Sequence, residues 1–489
     1  MKLLPRPITA ALLSLPLALT AASECDELRN LKLPQARIHS SVRVAEGDRL
    51  ALWAGGQPQA MPKGFCRVRG TASPVVGSSI GFEVWLPEKA AWNGKYLQAG
   101  NGGTAGSVPL SSLLDGVVRG YATAATDSGH LWPDGLDYGW ANGRPESVVD
   151  FGWRAVQRTN EAAKRIVTAS QGTAPKKSYF VGCSDGGRDA MMAAQRMPRA
   201  FDGIVAGAPA INWIDLMTAS ALVQREFTLP VTALPTAKLP AIQAAALAAC
   251  GNGKPYVANP QSCSFDPAVM ACRDADTNAC LTPKQVELVR QIYRGMPNPE
   301  TGRLLPGLIP GAEADPGNWD FWILRAPTNP LGGNSASTTQ PTSIGESFFR
   351  HLVREDSSFI LADLKTADMA EGRRRWSADL DATDPDLRAF KRRGGKLLHY
   401  HGWADSAIPP SMSIDYFKAV QARMGNTDSF YRLFMVPGMN HCAGGNGPWQ
   451  TDWLETLERW VEAGESPDAI TTRHPGRNDT QTLRSQSKN

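Results

Sequence analysis

Short apolar runs, each closed by turn residues, recur along the chain. Lys95–Gly100 leads into Asn101-Gly102-Gly103, Tyr121–Thr126 into Asp127-Ser128-Gly129, and Ser178–Gly182 into another glycine-rich turn. Gly203–Ala208, Lys396–His401 and Phe430–Val436 have the same form. Runs this short and this continuously apolar fit parallel strands covered on both faces. Helical patterns separate them. Phe151–Ala169 carries Trp153, Val156, Ala163 and Val167 on one helical stripe, and Arg188–Arg196 and Ser411–Met424 also read as helices. Strands alternating with helices predict an α/β fold built on a mostly parallel sheet.

Between residues 212 and 382 the alternation stops. This stretch holds four of the eight cysteines, a proline-rich piece (Leu229–Pro240) and a Gly/Ser/Thr/Asn-rich loop (Leu331–Thr342), and its strand signals are poor. The expectation is a lid domain, residues 212–382, inserted into a sheet domain made of residues 24–211 and 383–489 and sitting over the carboxyl edge of the strands. No internal repeat is visible.

The extreme N-terminus reads as an export signal, residues 1–23. Lys2 and Arg6 precede an apolar stretch, Ile8–Leu19, which ends in the small residues Thr20-Ala21-Ala22-Ser23. That stretch is too short to span a bilayer, and no later run is long enough. The formal charge is +4, and Lys2 and Arg6 supply two of those charges. A mature chain this close to neutral gives no reason to expect a nucleic-acid partner, and Arg373-Arg374-Arg375 reads as a solvated helix face. No membrane partner is expected, and the oligomeric state is not legible. All eight cysteines follow the leader, and an even number in an exported chain argues for disulfides. No Cys-x-x-Cys occurs and the spacings suit no zinc site. The compartment is therefore secreted or periplasmic.

Gly182-Cys183-Ser184-Asp185-Gly186 matches G-x-S-x-G between a strand and a helix, the setting of a nucleophile elbow. A tight strand-to-helix turn lifts the Ser184 hydroxyl off the sheet edge and leaves helix N–H groups free to meet an oxyanion. A hydroxyl needs a base, and this elbow is followed along the chain by an acid and then a histidine. Strand Lys396–His401 runs into Asp405, and strand Phe430–Val436 runs into His441, so both leave the edge that carries Ser184. Of seven histidines, only His130, His401 and His441 stand near predicted strand ends. His130 precedes the serine, and His401, at its strand's end, is expected to pack or hydrogen-bond locally. Asp415 is the weaker rival to Asp405. The expected oxyanion donors are the backbone N–H groups of Asp185 and of Gly103, in the glycine-rich loop after Lys95–Gly100. Asp150-Phe151-Gly152 spells a kinase motif without its companions, and Gly100–Gly103 lacks the Gly-Lys-Ser/Thr of a phosphate loop.

These residues reach a known pattern. Cys183-Ser184 and His441-Cys442 around Asp405 form a CS-D-HC signature. With Ser178–Arg188, Phe201–Pro209, His401–Asp405 and Val436–Cys442, they make the chain resemble the tannase and feruloyl esterase family, which also holds a bacterial mono(hydroxyethyl) terephthalate hydrolase. The likeness runs from about Cys25 to about Pro467. It implies an α/β-hydrolase domain with a lid inserted after about residue 212, and the disulfides Cys25–Cys66, Cys183–Cys442, Cys250–Cys263 and Cys272–Cys280. It also implies aromatic or hydroxycinnamic ester substrates. One departure stands out. The family's lid carries a calcium loop of the form C-D-x-x-D-G-x-x-D-G, but here Cys250-Gly251-Asn252-Gly253-Lys254-Pro255-Tyr256 is shortened, has no aspartate and contains a lysine. Ca²⁺ needs several oxygen ligands, so the expectation is no metal and no cofactor. The C-terminal extension with a further cysteine pair, present in some relatives, is also expected to be absent.

The leading expectation is a serine carboxylic ester hydrolase that cleaves small aromatic esters, feruloyl, hydroxycinnamoyl or galloyl, through an acyl-enzyme. A terephthalate-type hydrolase, an acyltransferase using the same triad and a non-catalytic binding protein are the alternatives. Trp319, Phe321, Trp322, Phe348 and Phe349 are candidate stacking partners for an aromatic acyl group, with lid core as their plainer role. Arg325, Arg350 and Arg354 are candidate partners for a substrate carboxylate.

Overall fold

The computed structural model describes residues 24–324 and 343–486. The leader 1–23, Arg325 and the polar loop 331–342 lie outside the described residues. Nine strands form one sheet: β1 (Ala36–Val44), β2 (Phe65–Ala72), β3 (Ile80–Pro87), β4 (Lys95–Ala99), β5 (Ala122–Thr126), β6 (Lys177–Cys183), β7 (Gly203–Gly207), β8 (Lys396–Gly402) and β9 (Tyr431–Val436). Their order is β1-β2-β3-β5-β4-β6-β7-β8-β9. The first three strands pair antiparallel with one another, and β3 pairs antiparallel with β5. From β5 to β9 every pairing is parallel. Parallel strands put all their carboxyl ends on one edge, so the residues that follow β4, β6, β7, β8 and β9 meet there.

The parallel strands are mostly apolar. β5 and β7 are buried at every position, because helices cover both faces. Helix α1 (Leu110–Val118) packs against β5 and β3, α2 (Ala155–Gln171) and α3 (Asp185–Arg196) lie against the sheet on its other side, and α8 (Ser411–Met424) and α9 (Trp453–Ala463) flank β8 to β9. Four further helices, α4 (Trp213–Phe227), α5 (Leu239–Cys250), α6 (Pro283–Arg294) and α7 (Thr366–Leu380), belong to the connection between β7 and β8. The helix predicted over Phe151–Ala169 begins as a π-helical turn, Asp150–Arg154, before continuing as α2. The antiparallel strands β1 to β3 and a C-terminal hairpin, β10 (Ala469–Arg473) with β11 (Thr480–Arg484), were not foreseen from the sequence pattern. β1 buries only Ile38 and Ser41 of its nine residues, so its polar edge hides the strand period.

None of the described residues between β7 and β8 adds a strand to the sheet. The chain enters and leaves this connection at neighbouring points, since Ala382 N–H donates to Ile211 O at 2.7 Å. Local rules shape its helices. Thr282 and Gln285 form a reciprocal capping box at the start of α6, with Pro283 at the first helical position. The apolar faces do not close on themselves. Trp213, Met217, Leu222, Ile242 and Trp376 share one buried cluster with Tyr138, Trp140 and Phe151, which come from the β5–α2 connection of the sheet. The connection is therefore packed onto the carboxyl edge of the sheet.

Candidate active site

Ser184 follows β6 with φ 66° and ψ −124°, a region that a side chain rarely adopts. Three backbone bonds impose it: Ser184 N–H donates to Gly207 O at 3.0 Å, and Ser184 O accepts from Arg188 N–H and Ala210 N–H. The turn closes only because its neighbours lack side chains. A Cβ on Gly182 would stand 2.2 Å from Gly186 O, and one on Gly187 would stand 2.3 Å from Gly207 O.

Under the turn lies a fully buried charge cluster. Arg188 donates from Nε and Nη2 to Asp185 Oδ1 (2.8 and 2.6 Å), from Nη1 to Gly152 O (2.7 Å) and from Nη2 to Phe151 O (3.0 Å). Its guanidinium lies between the rings of Phe151 and Trp213, 4.6 and 5.0 Å from their centroids. Asp189 Oδ1 lies 3.7 Å from the same Nη2, and this carboxyl accepts the backbone N–H of Asn101. Burial, followed by the like charge of Asp185, pushes the Asp189 carboxyl well above the usual carboxylate range. The cluster thus joins the elbow helix to the loop that follows β4.

The structure brings Ser184, His441 and Asp405 together. Ser184 Oγ is 2.9 Å from His441 Nε2, and His441 Nδ1 is 2.8 Å from Asp405 Oδ2. Asp405 is buried, and its Oδ1 accepts the N–H groups of Ala407 and Ile408, each at 2.9 Å. Burial alone would raise its pKa, but the nearby His441 and the bonds from His401 and His441 outweigh that and hold the carboxyl well below the usual range. Asp415, the weaker sequence candidate, lies on α8, and His441 turns to Asp405 instead. His130 stacks on Trp140 with ring centroids 3.6 Å apart, and its Nε2 meets Thr104 O at 2.9 Å, so it braces the loop beside Gly103.

Asp185 is the first residue of α3, where a backbone N–H has no intrahelical acceptor. Gly103 faces the same space and lines the cavities at Ser184. Its φ of 60° and the Gly135 carbonyl, 1.9 Å from where a Cβ would sit, require glycine there. Asn101, missed at the level of sequence, sets this loop. Its side chain donates to Ser107 O and Thr126 O and accepts from Gly102 N–H, while its carbonyl accepts Gly186 N–H at 2.8 Å. The signal was present in the Asn-Gly-Gly run, read there only for its glycines.

All eight cysteines are paired: Cys25–Cys66, Cys183–Cys442, Cys250–Cys263 and Cys272–Cys280. The second joins the residue before Ser184 to the residue after His441, with Cα atoms 5.9 Å apart.

Ser184 stands at the junction of two cavities. A narrow apolar pocket runs under the β7–β8 connection, between Leu216, Met217, Val223, Leu308, Ile344 and Ile408. An open cleft of about 1950 Å³ extends the other way, past Trp132 to a polar end at Asp115, Arg119, Thr451, Asp452 and Arg473. Of the aromatic candidates, Phe321 and Trp322 line the cleft, and the Trp322 ring meets His441 edge-on at 5.2 Å. Trp319, Phe348 and Phe349 do not reach either cavity. They are buried in the core of the β7–β8 connection, where Trp319 packs on Tyr293 and Phe348 on Tyr138 and Phe349. Their substrate role is therefore corrected to packing. Arg350 bonds to Glu346 and to Phe359 O, and Arg354 pairs with Asp368, away from both cavities. Around Cys250 the donor set does not fit calcium. Lys254 N–H closes a turn on Gly251 O, and the Lys254 ammonium lies 5.5 Å from the Tyr256 ring centroid, so a cation of the chain's own occupies that neighbourhood.

A family model described as tannase and feruloyl esterase matches residues 66–488. An uncharacterized esterase of Xanthomonas campestris pv. campestris is 38% identical, over 92% of this chain and 84% of its own. The mono(2-hydroxyethyl) terephthalate hydrolase of Piscinibacter sakaiensis is 31% identical, over 93% and 85% respectively. The crystal structure of feruloyl esterase B from Aspergillus oryzae superposes with a TM-score of 0.84 at 25% identity, covering 95% of each chain.

Two outcomes follow from this geometry. Replacing both Cys183 and Cys442 by alanine lowers kcat for ester hydrolysis by roughly 10- to 100-fold and KM by less than about twofold in either direction, because the His441 loop loses its tether to the elbow; steady-state kinetics on the unreduced double variant checks this. Phe348→Ala costs about 3–5 kcal/mol in denaturant unfolding and leaves KM near wild type, whereas Trp322→Ala raises KM with little loss of stability.

Proposed function

The chain belongs to the tannase and feruloyl esterase family and is a carboxylic ester hydrolase, and on that premise we propose that Ser184, His441 and Asp405 cleave small aromatic esters through an acyl-enzyme. The observation that carries this reading is a serine hydroxyl 2.9 Å from an imidazole that is itself 2.8 Å from a buried carboxylate, set at the mouth of an apolar pocket.

His441 Nε2 takes the Ser184 proton as Oγ attacks the ester carbonyl. Asp405 accepts Nδ1–H, which keeps Nε2 free as the base and stabilises the imidazolium that forms. Negative charge on the carbonyl oxygen meets the N–H groups of Asp185 and Gly103, held in place before the reaction by the elbow helix and by Asn101. The imidazolium returns its proton to the leaving alcohol, the ester bond breaks, and water repeats the sequence on the acyl-enzyme. The described residues between 212 and 382 act as the lid over this site.

The two cavities suggest how a substrate lies. Among the described residues no charged side chain lines the apolar pocket. A planar, uncharged acyl group such as feruloyl or galloyl suits it, and a terephthalate carboxylate would be desolvated there without a partner. The polar arm of the cleft suits a hydroxyl-rich alcohol. Its openness to water favours hydrolysis over acyl transfer. Four disulfides support an oxidising, secreted or periplasmic setting, and the enzyme works without calcium. Among the described residues no helix is long and apolar enough to cross a membrane.

Ser184→Ala is expected to lower turnover by about 10⁴-fold or more with the circular dichroism unchanged. Across methyl ferulate, methyl gallate and mono(hydroxyethyl) terephthalate, kcat/KM for the anionic ester should be at least about tenfold below the better neutral one, a gap of about 1.4 kcal/mol. EGTA should leave both Tm and activity unchanged, and a fall in Tm reversed by Ca²⁺ would contradict the reading of the Cys250 turn.

A further inference from the structure

Asp405 has a further polar neighbour that the triad does not use. His401, fully buried near the end of β8, places Nε2 3.2 Å from Asp405 Oδ2, the oxygen already facing His441, and 3.0 Å from Ile408 O. A carbonyl and an ionised carboxylate carry no hydrogen, so Nε2 must be the protonated nitrogen. Ala407 and Ile408 N–H donate to Oδ1 and His441 to Oδ2, and His401 Nε2, which bonds to Ile408 O, stands against the same Oδ2 on its free side.

Behind His401 the bonds continue in a line. Its Nδ1 lies 2.6 Å from Ser413 Oγ on α8, Ser413 Oγ lies 2.7 Å from His399 Nε2, and His399 Nδ1 lies 2.8 Å from the hydroxyl of Tyr431 on β9. All these side chains are buried. β8 makes this possible because residues 399 and 401 project to the same face, the one α8 covers. The hydrogens can then be assigned. A neutral His401 with its proton on Nε2 needs Ser413 O–H on Nδ1. Ser413 oxygen must then accept His399 Nε2–H, and His399 Nδ1 must accept Tyr431 O–H. Every bond points toward Asp405. If His401 took a second proton, on Nδ1, Ser413 would lose the acceptor for its own hydrogen: either that hydrogen is left unpaired in the core, or Ser413, His399 and Tyr431 all reverse and the Tyr431 hydrogen is left unpaired instead. Burial and the proximity of His401 already press His399 strongly toward its neutral form.

We propose that His401 is a positioning residue for Asp405, held neutral by the Tyr431–His399–Ser413 chain so that it orients the carboxylate without neutralising it. A lysine or arginine in its place would fix Asp405 equally well, but its charge would compete with the imidazolium of His441. A neutral donor leaves the negative charge to His441. The titratable groups facing His401 are Asp405 from the β8 loop, His441 from the β9 loop, His399 from its own strand and Tyr431 from β9.

This rests on the triad reading given above, and the test separates the two. The variants are His401→Met, which keeps apolar bulk without a donor, and His401→Gln, whose amide N–H replaces Nε2–H. The readouts on a neutral p-nitrophenyl ester are kcat, KM, the acid limb of the kcat/KM–pH profile, and Tm. His401→Met is expected to lower kcat roughly 10- to 100-fold with KM within about twofold. Its acid limb moves to higher pH, because a carboxylate relieved of one donor holds the His441 proton more tightly. His401→Gln returns kcat to within about fivefold of wild type and restores the limb. If both variants lose activity in proportion to Tm with the limb unmoved, His401 is packing and the proposal fails. If His401→Met does not fold, Ser413→Ala is read instead. It lets His401 charge, so its acid limb moves to lower pH, and an unmoved limb overturns the proposal. Retained activity in Ser184→Ala would instead refute the triad reading, whatever the His401 variants do.

Discussion

The backbone of Ser184 is the constraint on which the rest of the site depends. Holding a side chain at φ 66° and ψ −124° costs on the order of 1–3 kcal/mol, and it persists only where the surroundings leave no alternative. Here they leave none. Gly207 O and the start of α3 grip the turn from two sides, and glycines at 182, 186 and 187 let backbone pack where any Cβ would collide. Beneath it, Arg188 ties Asp185 and Asp189 to the carbonyls of Phe151 and Gly152. An unpaired charge in that position would be costly, so the cluster resists distortion as a unit. The same scaffold reaches the facing loop through Asn101, whose carbonyl accepts Gly186 N–H and whose own N–H meets Asp189. Elbow and facing loop therefore share one set of bonds.

The second half of the site arrives from far along the chain. His441 sits on a loop after β9, and loops open more readily than strands. The Cys183–Cys442 bridge spans 259 positions and removes much of that freedom where it matters, at the two residues adjoining the reacting pair. The chain-entropy account gives an upper figure of about 5.5 kcal/mol for a closure of that length. Asp405 is held differently, by three hydrogen bonds, the close approach of His401 and burial, on a turn fixed between β8 and α8. The serine thus depends on backbone geometry, the histidine on a covalent tether and the carboxylate on hydrogen bonding and burial.

The parallel strands were legible because two covered faces demand continuous apolar runs, which stand out against their turns. Their ends, observed within a residue or two of the expected positions, put Ser184, Asp405 and His441 on one edge. β1 to β3 were not legible. They pair antiparallel, and β1 lies at the sheet edge with most of its residues facing water, so its composition resembles a loop. The C-terminal hairpin escaped for the same reason.

The aromatic residues mark where local reading stops. Trp319 and Trp322 lie three residues apart, yet one is 1% exposed in a packed core and the other stands against His441. Nothing in that stretch distinguishes them, because burial depends on what the neighbouring helices bring. His401 reads as a strand-end histidine in the sequence, and only the approach of α8 and β9 joins it and His399 of its own strand to Ser413 and Tyr431. What the chain alone determined was the order and type of the chemistry-bearing residues, since strand periodicity and the glycine spacing of the elbow are local and are written in consecutive positions. What only the tertiary structure decided was which side chains face substrate, which face the core and which direction each buried hydrogen bond runs, because those depend on contacts between separate elements that no local stretch of sequence contains.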